Sequence, residues 1–203
     1  MSFLKRASMR GNAMQLKKKH KKSQQGLAIV EMTLILPLFL VLAFGVFEMY
    51  RLLLANNIII GMSREGANLV ARTSDTDQKI MDVISSTAAP LTMNKNGIMY
   101  VTVLVGGANK NKPLVLEQHR WVGSQYSGDS RVWSECKAWT TDTDSDSESD
   151  SCVVPSTLPI LDHFNMVLDP GETVNVIEVL YEYENVLAYV IQDNLELYSR
   201  SLL

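Results

Sequence analysis

No acidic residue precedes Glu31. All 22 Asp and Glu residues lie at or beyond that position, whereas eight of the 19 Lys and Arg residues (Lys5, Arg6, Arg10, Lys17, Lys18, Lys19, Lys21 and Lys22) stand before it. The asymmetry excludes an exported leader: basic residues flanking an apolar segment stay on the cytoplasmic side, so the chain beyond that segment is translocated. A Lys-rich block is also a phosphate-binding composition, but topology accounts for these charges and no nucleic-acid partner is expected. Cysteine is scarce, with only Cys136 and Cys152, and so is histidine, with His20 in the leader and His119 and His163 beyond it. Neither later histidine has zinc-like spacing to the cysteines, and Asp162-His163 is a local pair without a nucleophile motif nearby. Glycines are scattered; Gly106-Gly107 follows a strand-like run but lacks the rest of a dinucleotide fingerprint, and no phosphate-binding loop occurs. No internal repeat is visible. Neither catalysis nor a cofactor is expected.

What is present begins with an uncharged apolar run at residues 32–47 (MTLILPLFLVLAFGVF). Counted from Leu27 it reaches 21 residues with one carboxylate, Glu31, near its start, long enough to span a bilayer at ~1.5 Å per residue. The junction with the basic leader reads Gln25-Gly26-Leu27-Ala28-Ile29-Val30-Glu31. A glycine, four small or apolar residues and a glutamate form the pattern that prepilin peptidases cut, immediately after the glycine. An ordinary secretory signal peptide has the same general form, but here the basic region is long, Glu31 sits inside the would-be core and no clear A-x-A site follows Phe47. An uncleaved signal anchor explains charge and span and leaves Glu31 without a purpose. An ionisable group in a membrane segment is expensive and usually has a partner; after cleavage, the new amino terminus of Leu27, on the same subunit or a neighbour, supplies a positive one.

Helical composition continues to Arg72, giving 46 residues from Leu27, or ~69 Å of helix. Pro37 is expected to kink it, because proline removes a backbone donor and crowds the carbonyl four residues back. A membrane helix followed by a separate amphipathic one, broken near Gly61, fits the residues almost as well. The segment GLAIVEMTLILPLFLVLAFGVFEMYRLLLANNIIIGMSREGANLVART resembles the amino-terminal signature of the TadE-like family, minor pseudopilins of the tight-adherence (Tad) pilus system. The resemblance rests on Gly26 and Glu31, Leu36-Pro37, the Gly45, Glu48 and Arg51 pattern, and Arg64-Glu65-Gly66-Ala67. It departs at Met32, where the family has another aromatic or apolar residue. The stretch DPGETVNVIEVLYEYENVL, then LELYSRSLL, also resembles this family and its TadF-like relatives. The resemblance implies a prepilin trimmed by a dedicated prepilin peptidase and used in biogenesis of a thin type IVb pilus for adhesion and biofilm growth. Its implied partners are that peptidase, other pilins or pseudopilins, the pilus assembly machinery and the inner membrane.

Three regions are therefore expected: a basic leader at 1–26, a transmembrane and pilin-like helical stem at 27–73, and an exterior domain at 74–203. Removing the leader changes the formal charge from −3 to −11, since it takes eight basic residues and no acidic one. In the exterior domain, residues 97–105 (GIMYVTVLV) read as a buried strand and 112–122 as a second with an edge-like start at Pro113. Asp169-Pro170-Gly171 signals a turn before a strand at 173–183, in which Ile177, Val179, Tyr181 and Tyr183 alternate with Glu178 and Glu182, one face dry and one wet. Residues 80–89 suggest a short helix ended by Pro90, and 185–203 are ambiguous between helix and strand. The fold class is α+β, a long pilin-like transmembrane helix followed by a domain containing an antiparallel sheet.

The run TTDTDSDSESDS at 140–151 lies between Cys136 and Cys152. Its low complexity reads as an exposed, disordered loop. Both cysteines fall in the translocated part, where oxidation is expected, and a disulfide between them closes that loop for ~3 kcal/mol of stabilisation. Calcium suits oxygen-rich loops, and Asp142, Asp144 and Asp146 match the first EF-hand positions; Ser147 and Val153 then stand where glycine and the bidentate glutamate belong. No metal site is assigned. A calcium-dependent adhesive module and a membrane-anchored periplasmic enzyme remain as alternatives to the pseudopilin.

Overall fold

The computed structural model describes residues 20–142, 149–164, 166–185 and 195–203. In chain order they form α1 (His20–Arg72), α2 (Asp77–Ser86), α3 (Met93–Asn96), β1 (Gly97–Val105), β2 (Leu114–Arg120), β3 (Trp139–Asp142), β4 (Ser149–Cys152), β5 (Thr173–Tyr183) and β6 (Leu195–Leu202). The chain divides into two compact units, one ending at Tyr50 and the other comprising Arg51–Leu203.

Helix α1 begins upstream of Leu27 and runs through Pro37 and Gly61 as one element. The alternative of two helices broken near Gly61 does not form. Glycine costs a helix about 1 kcal/mol relative to alanine, but its neighbours Ile59 and Met62 are buried, and burying one such side chain contributes about 1.5–3 kcal/mol. In the first unit the side chains from Leu27 to Phe47 are exposed; Leu27 is 74 % exposed and Phe39 66 %. Water does not tolerate so continuous an apolar surface. Gly26–Arg72 is the one helix among the described residues long and apolar enough to cross a membrane, with a mean hydropathy of 2.5 in its most apolar stretch.

The second unit is built on a six-stranded antiparallel sheet of order β3-β4-β2-β1-β5-β6. Its centre is the β1–β5 pair, in register from Gly97 opposite Tyr181 to Val105 opposite Thr173. Residues 51–72 of α1 lie on one face of this pair. Ala55, Ile59, Met62 and Ala67, spaced three to five residues apart, bury against Met99, Val101, Ile177 and Val179, as a helix stripe meeting alternate strand positions must. Gly66 sits within this contact: a Cβ there would come 2.8 Å from Ile84 Cδ1 and 3.1 Å from Ile177 Cδ1, so the glycine lets the helix approach. Ser63 Oγ lies 2.8 Å from Ser199 Oγ, tying α1 to β6. Helix α2 buries Ile80, Met81 and Ile84 in the same core and ends at Ser86, three residues earlier than expected, before a cis Ala89–Pro90 peptide.

Strands β1 and β5 have the expected bounds, and of the ambiguous stretch 185–203 the part Leu195–Leu202 is a strand, while 186–194 lie outside the described residues. Two expectations fail. Strand β5 has no wet face: Glu178 is 0 % exposed and Val174, Val176 and Leu180 are buried beside it. Irregular segments carrying Val132, Trp133, Leu161, Phe164 and Leu168 cover that side, and strand alternation alone does not reveal whether loops will close over a polar face. The acidic stretch is not simply a loop. Its two ends are strands β3 and β4, paired from Trp139 opposite Cys152 to Asp142 opposite Ser149 and joined to β2 through His119–Ser151 and Arg120–Asp150. Backbone pairing and the Arg120–Asp150 ion pair outweigh the weak strand propensity of Ser and Asp. Residues 143–148, on which the calcium hypothesis chiefly depends, lie outside the described part.

Candidate functional site

The expected processing residues share one element. Gly26, Leu27 and Glu31 are exposed on α1, and a Cβ on Gly26 would meet nothing within 4 Å. Leu27 and Glu31 are four apart and therefore on one helical face, about 5–6 Å between Cβ positions. The bond between Gly26 and Leu27 is helical, and any peptidase cutting there would have to unwind it; glycine, the weakest helix former after proline, would lower that cost by about 1 kcal/mol. Thr33 donates its hydroxyl to the Val30 carbonyl at 2.8 Å, so this polar group near Glu31 is satisfied inside the helix.

The second expected pair is joined: Cys136 and Cys152 form a disulfide with Cα atoms 5.9 Å apart, within the usual range. It ties the end of β4 to the segment leading into β3. Beside it, Arg120 Nη2 donates to Asp150 Oδ2 at 2.6 Å, and the guanidinium carbon lies 4.5 Å from the centre of the Trp139 ring. Burial would raise the Asp150 carboxyl, but hydrogen bonds from Thr141 and Arg120 and the guanidinium charge together hold it below its ordinary value. The hairpin is thus fastened at its base by one covalent bond and one half-buried ion pair.

Sequence reasoning missed Glu178. Its Oε1 accepts from the backbone N–H groups of Arg131 (2.9 Å) and Val132 (3.0 Å) and from the Tyr198 hydroxyl (3.0 Å), while Oε2 accepts from Ser130 Oγ. Burial raises the Glu178 carboxyl above its ordinary value and outweighs these four donors, which act to lower it. The group fastens the loop at 130–132 to the centre of the sheet. Arg131 reinforces it, pairing with Glu196 and lying 4.6 Å from the centre of the Tyr198 ring. No sequence signal separates Glu178 from an exposed strand glutamate such as Glu117.

The histidines are not brought together. His119 Nε2 lies 3.5 Å from Asp77 Oδ2 and 3.6 Å from Glu117 Oε2, His163 is exposed, and its neighbour Asp162 binds Lys112 at 2.6 Å. Among the described residues no group of three His, Cys, Asp or Glu side chains is arranged to hold a metal ion. The expected processing residues and the disulfide hairpin belong to different compact units.

Comparison with known proteins bears on α1. Residues 26–68 match the family model described as TadE-like protein, so the matched span begins at the glycine of the junction and ends within α1. No curated protein and no solved structure matches the chain.

Proposed function

From a TadE-like stem as premise, we propose that the chain is a minor pseudopilin acting in biogenesis or assembly of a Tad-type pilus, anchored in the inner membrane with its leader in the cytoplasm and its sheet domain outside. The observation that carries this reading is the family match over residues 26–68, which starts at Gly26 and includes Glu31. A prepilin peptidase cuts between Gly26 and Leu27, removing the basic leader. The freed ammonium of Leu27 then lies one helical turn from Glu31 and neutralises it, or does so on a neighbouring subunit, which resolves the cost of a carboxylate in lipid. The disulfide supports an oxidising exterior location for the sheet domain. The role is structural: the stem packs with other pilins or pseudopilins, the domain is presented outside, and assembly serves adhesion and biofilm growth.

The test is the amino-terminal sequence of the protein recovered from membranes and from sheared pili of cells that carry the peptidase. The expected first residue is Leu27. An intact 1–26 segment on assembled protein refutes the reading and leaves a signal anchor.

A further inference from the structure

The six-stranded sheet ends in two edges, β3 and β6, and among the described residues no strand pairs with the outer side of either. Native sheets commonly protect such edges with prolines, bulges or very short strands, because unpaired N–H and C=O groups recruit another chain. Strand β6 has none of these. It is eight residues long, holds no proline or glycine and keeps continuous register with β5. Asn175 and Leu203 exchange both backbone hydrogen bonds, at 3.0 and 3.1 Å, so by alternation Glu196, Tyr198, Arg200 and Leu202 turn their backbone groups away from β5. None of these four is buried. At the other edge the Val153 N–H donates to the Ala138 carbonyl at 3.0 Å, and the same alternation turns the backbone groups of Trp139 and Thr141 outward.

The two edges fit one another. Every neighbouring pair in the sheet is antiparallel, so across six strands β6 runs opposite to β3. A second copy shifted sideways in the sheet plane, without rotation, brings its β3 antiparallel to the first copy's β6 and keeps the sheet faces matched. The outward residues of both edges carry their side chains on the face away from α1: Trp139 and Tyr198 pack beside Tyr100 and Leu180, Thr141 binds Asp150, and Arg200 lies over Phe164. Charge agrees. Glu196 is paired with Arg131 of its own chain, whereas Arg200 makes no ion pair among the described residues, and residues 140–151, which begin in β3, hold five carboxylates and no basic residue. Pairing β6 with β6 fits less well. Arg51 lies 5.7 Å from the centre of the Tyr183 ring and Ser63 is bonded to Ser199, so residues 51–63 run along β6 in its own direction. Two β6 strands joined antiparallel set their Arg51 ends at opposite ends of the joined sheet, whereas chains anchored in one bilayer enter their domains from the same side.

We propose that β6 is an interaction surface for a second copy of this chain, which it takes antiparallel along β3, so that the sheet continues from copy to copy. The choice of β3 over β6 as the partner edge rests on the membrane-anchored reading. Trp139 and Thr141 facing two residues of β6 make about four backbone hydrogen bonds, too few to hold free domains together; anchorage in one bilayer supplies the effective concentration that a linker supplies elsewhere. The contact is heterologous and so extends beyond a dimer. The test uses the full chain in membranes of cells that express two differently tagged copies, one with Thr141→Cys and one with Arg200→Cys, both exposed positions. With Cys136 and Cys152 joined, the engineered thiols are the free ones. Within one chain the two positions stand about 24 Å apart across the strand spacings, so a thiol cross-linker shorter than that span joins only different copies. A cross-linked dimer carrying both tags is expected, with no dimer from either variant alone and a ladder from the double variant. Thr140→Cys, also exposed, takes the place of Thr141→Cys if that variant is not recovered folded. The proposal is overturned by dimers from Arg200→Cys alone, which mark β6–β6 pairing, by cross-linking of Arg200→Cys to a different protein in place of the tagged copy, or by the absence of any product. Membranes lacking the prepilin peptidase separate this contact from the pseudopilin reading, because a mixed dimer of chains that retain residues 1–26 keeps the contact whatever becomes of the cleavage.

Discussion

Replacing Glu178 tests the account of the sheet's covered face most directly. Glu178→Leu preserves approximate size and removes the acceptor of four hydrogen bonds. The Ser130 and Tyr198 hydroxyls can turn to new partners, but the backbone N–H groups of Arg131 and Val132 are fixed by the loop and would be left open. Leaving open the buried Val132 N–H and the partly buried Arg131 N–H costs about 2–6 kcal/mol. Against this, leucine gains apolar burial, an offset of about 1–2 kcal/mol. The net loss, about 0–5 kcal/mol with a centre of about 2–3 kcal/mol, is a substantial part of the 5–15 kcal/mol available to an ordinary domain. Glu178→Gln keeps an oxygen for the same two N–H groups and should stay within about 1 kcal/mol of the parent. Urea unfolding of the full chain in detergent, followed by tryptophan fluorescence, reads the difference, since Trp133 sits in the fastened loop. The two variants also separate by pH. A carboxyl raised on folding binds its proton more tightly in the folded state, so its contribution is complete below the ordinary carboxylate range and is lost as pH rises through the folded value. Parent stability relative to Glu178→Gln should therefore fall as pH increases from about 4.5. Equal midpoints for the parent and Glu178→Leu, or equal destabilisation by both variants, would refute the reasoning.

Gly26→Asp should block removal of the leader, visible by mass spectrometry as retention of residues 1–26. Glu31→Ala should leave cleavage and membrane insertion largely intact yet impair piliation; normal pili in cells with this variant as sole copy would count against the pairing with a mature amino terminus. Gly66→Leu places side-chain atoms where Ile84 and Ile177 already lie and should lower stability by about 1–3 kcal/mol, measured by the same urea unfolding; an unchanged midpoint would show that α1 does not pack as described. Cys136→Ser should cost about 3 kcal/mol, whereas shortening residues 143–148 with both cysteines and both hairpin strands kept should cost little. Thiol labelling of unreduced, unfolded protein checks the bond itself, and two reactive thiols in the parent would contradict it.

Local chemistry made much of this protein legible. The one-sided charge and apolar run identified the candidate span, β-branched runs identified β1 and β5, and the two cysteines identified the disulfide, because each depends on near neighbours or on pairing the only possible partners. The stem's resemblance was likewise carried by residues close in sequence, and the family match begins at the same Gly26. What tertiary structure decided were matters of coverage and long-range pairing. Whether Gly61 breaks α1 depends on the sheet packed against Ile59 and Met62, which the helical segment alone does not contain. Asp150 joins a strand because Arg120, 30 residues earlier, receives it, and Glu178 is buried because a loop almost 50 residues upstream folds over it and supplies the donors that a buried carboxylate requires. Alternation along a strand specifies two faces; only the rest of the chain determines which of them meets water.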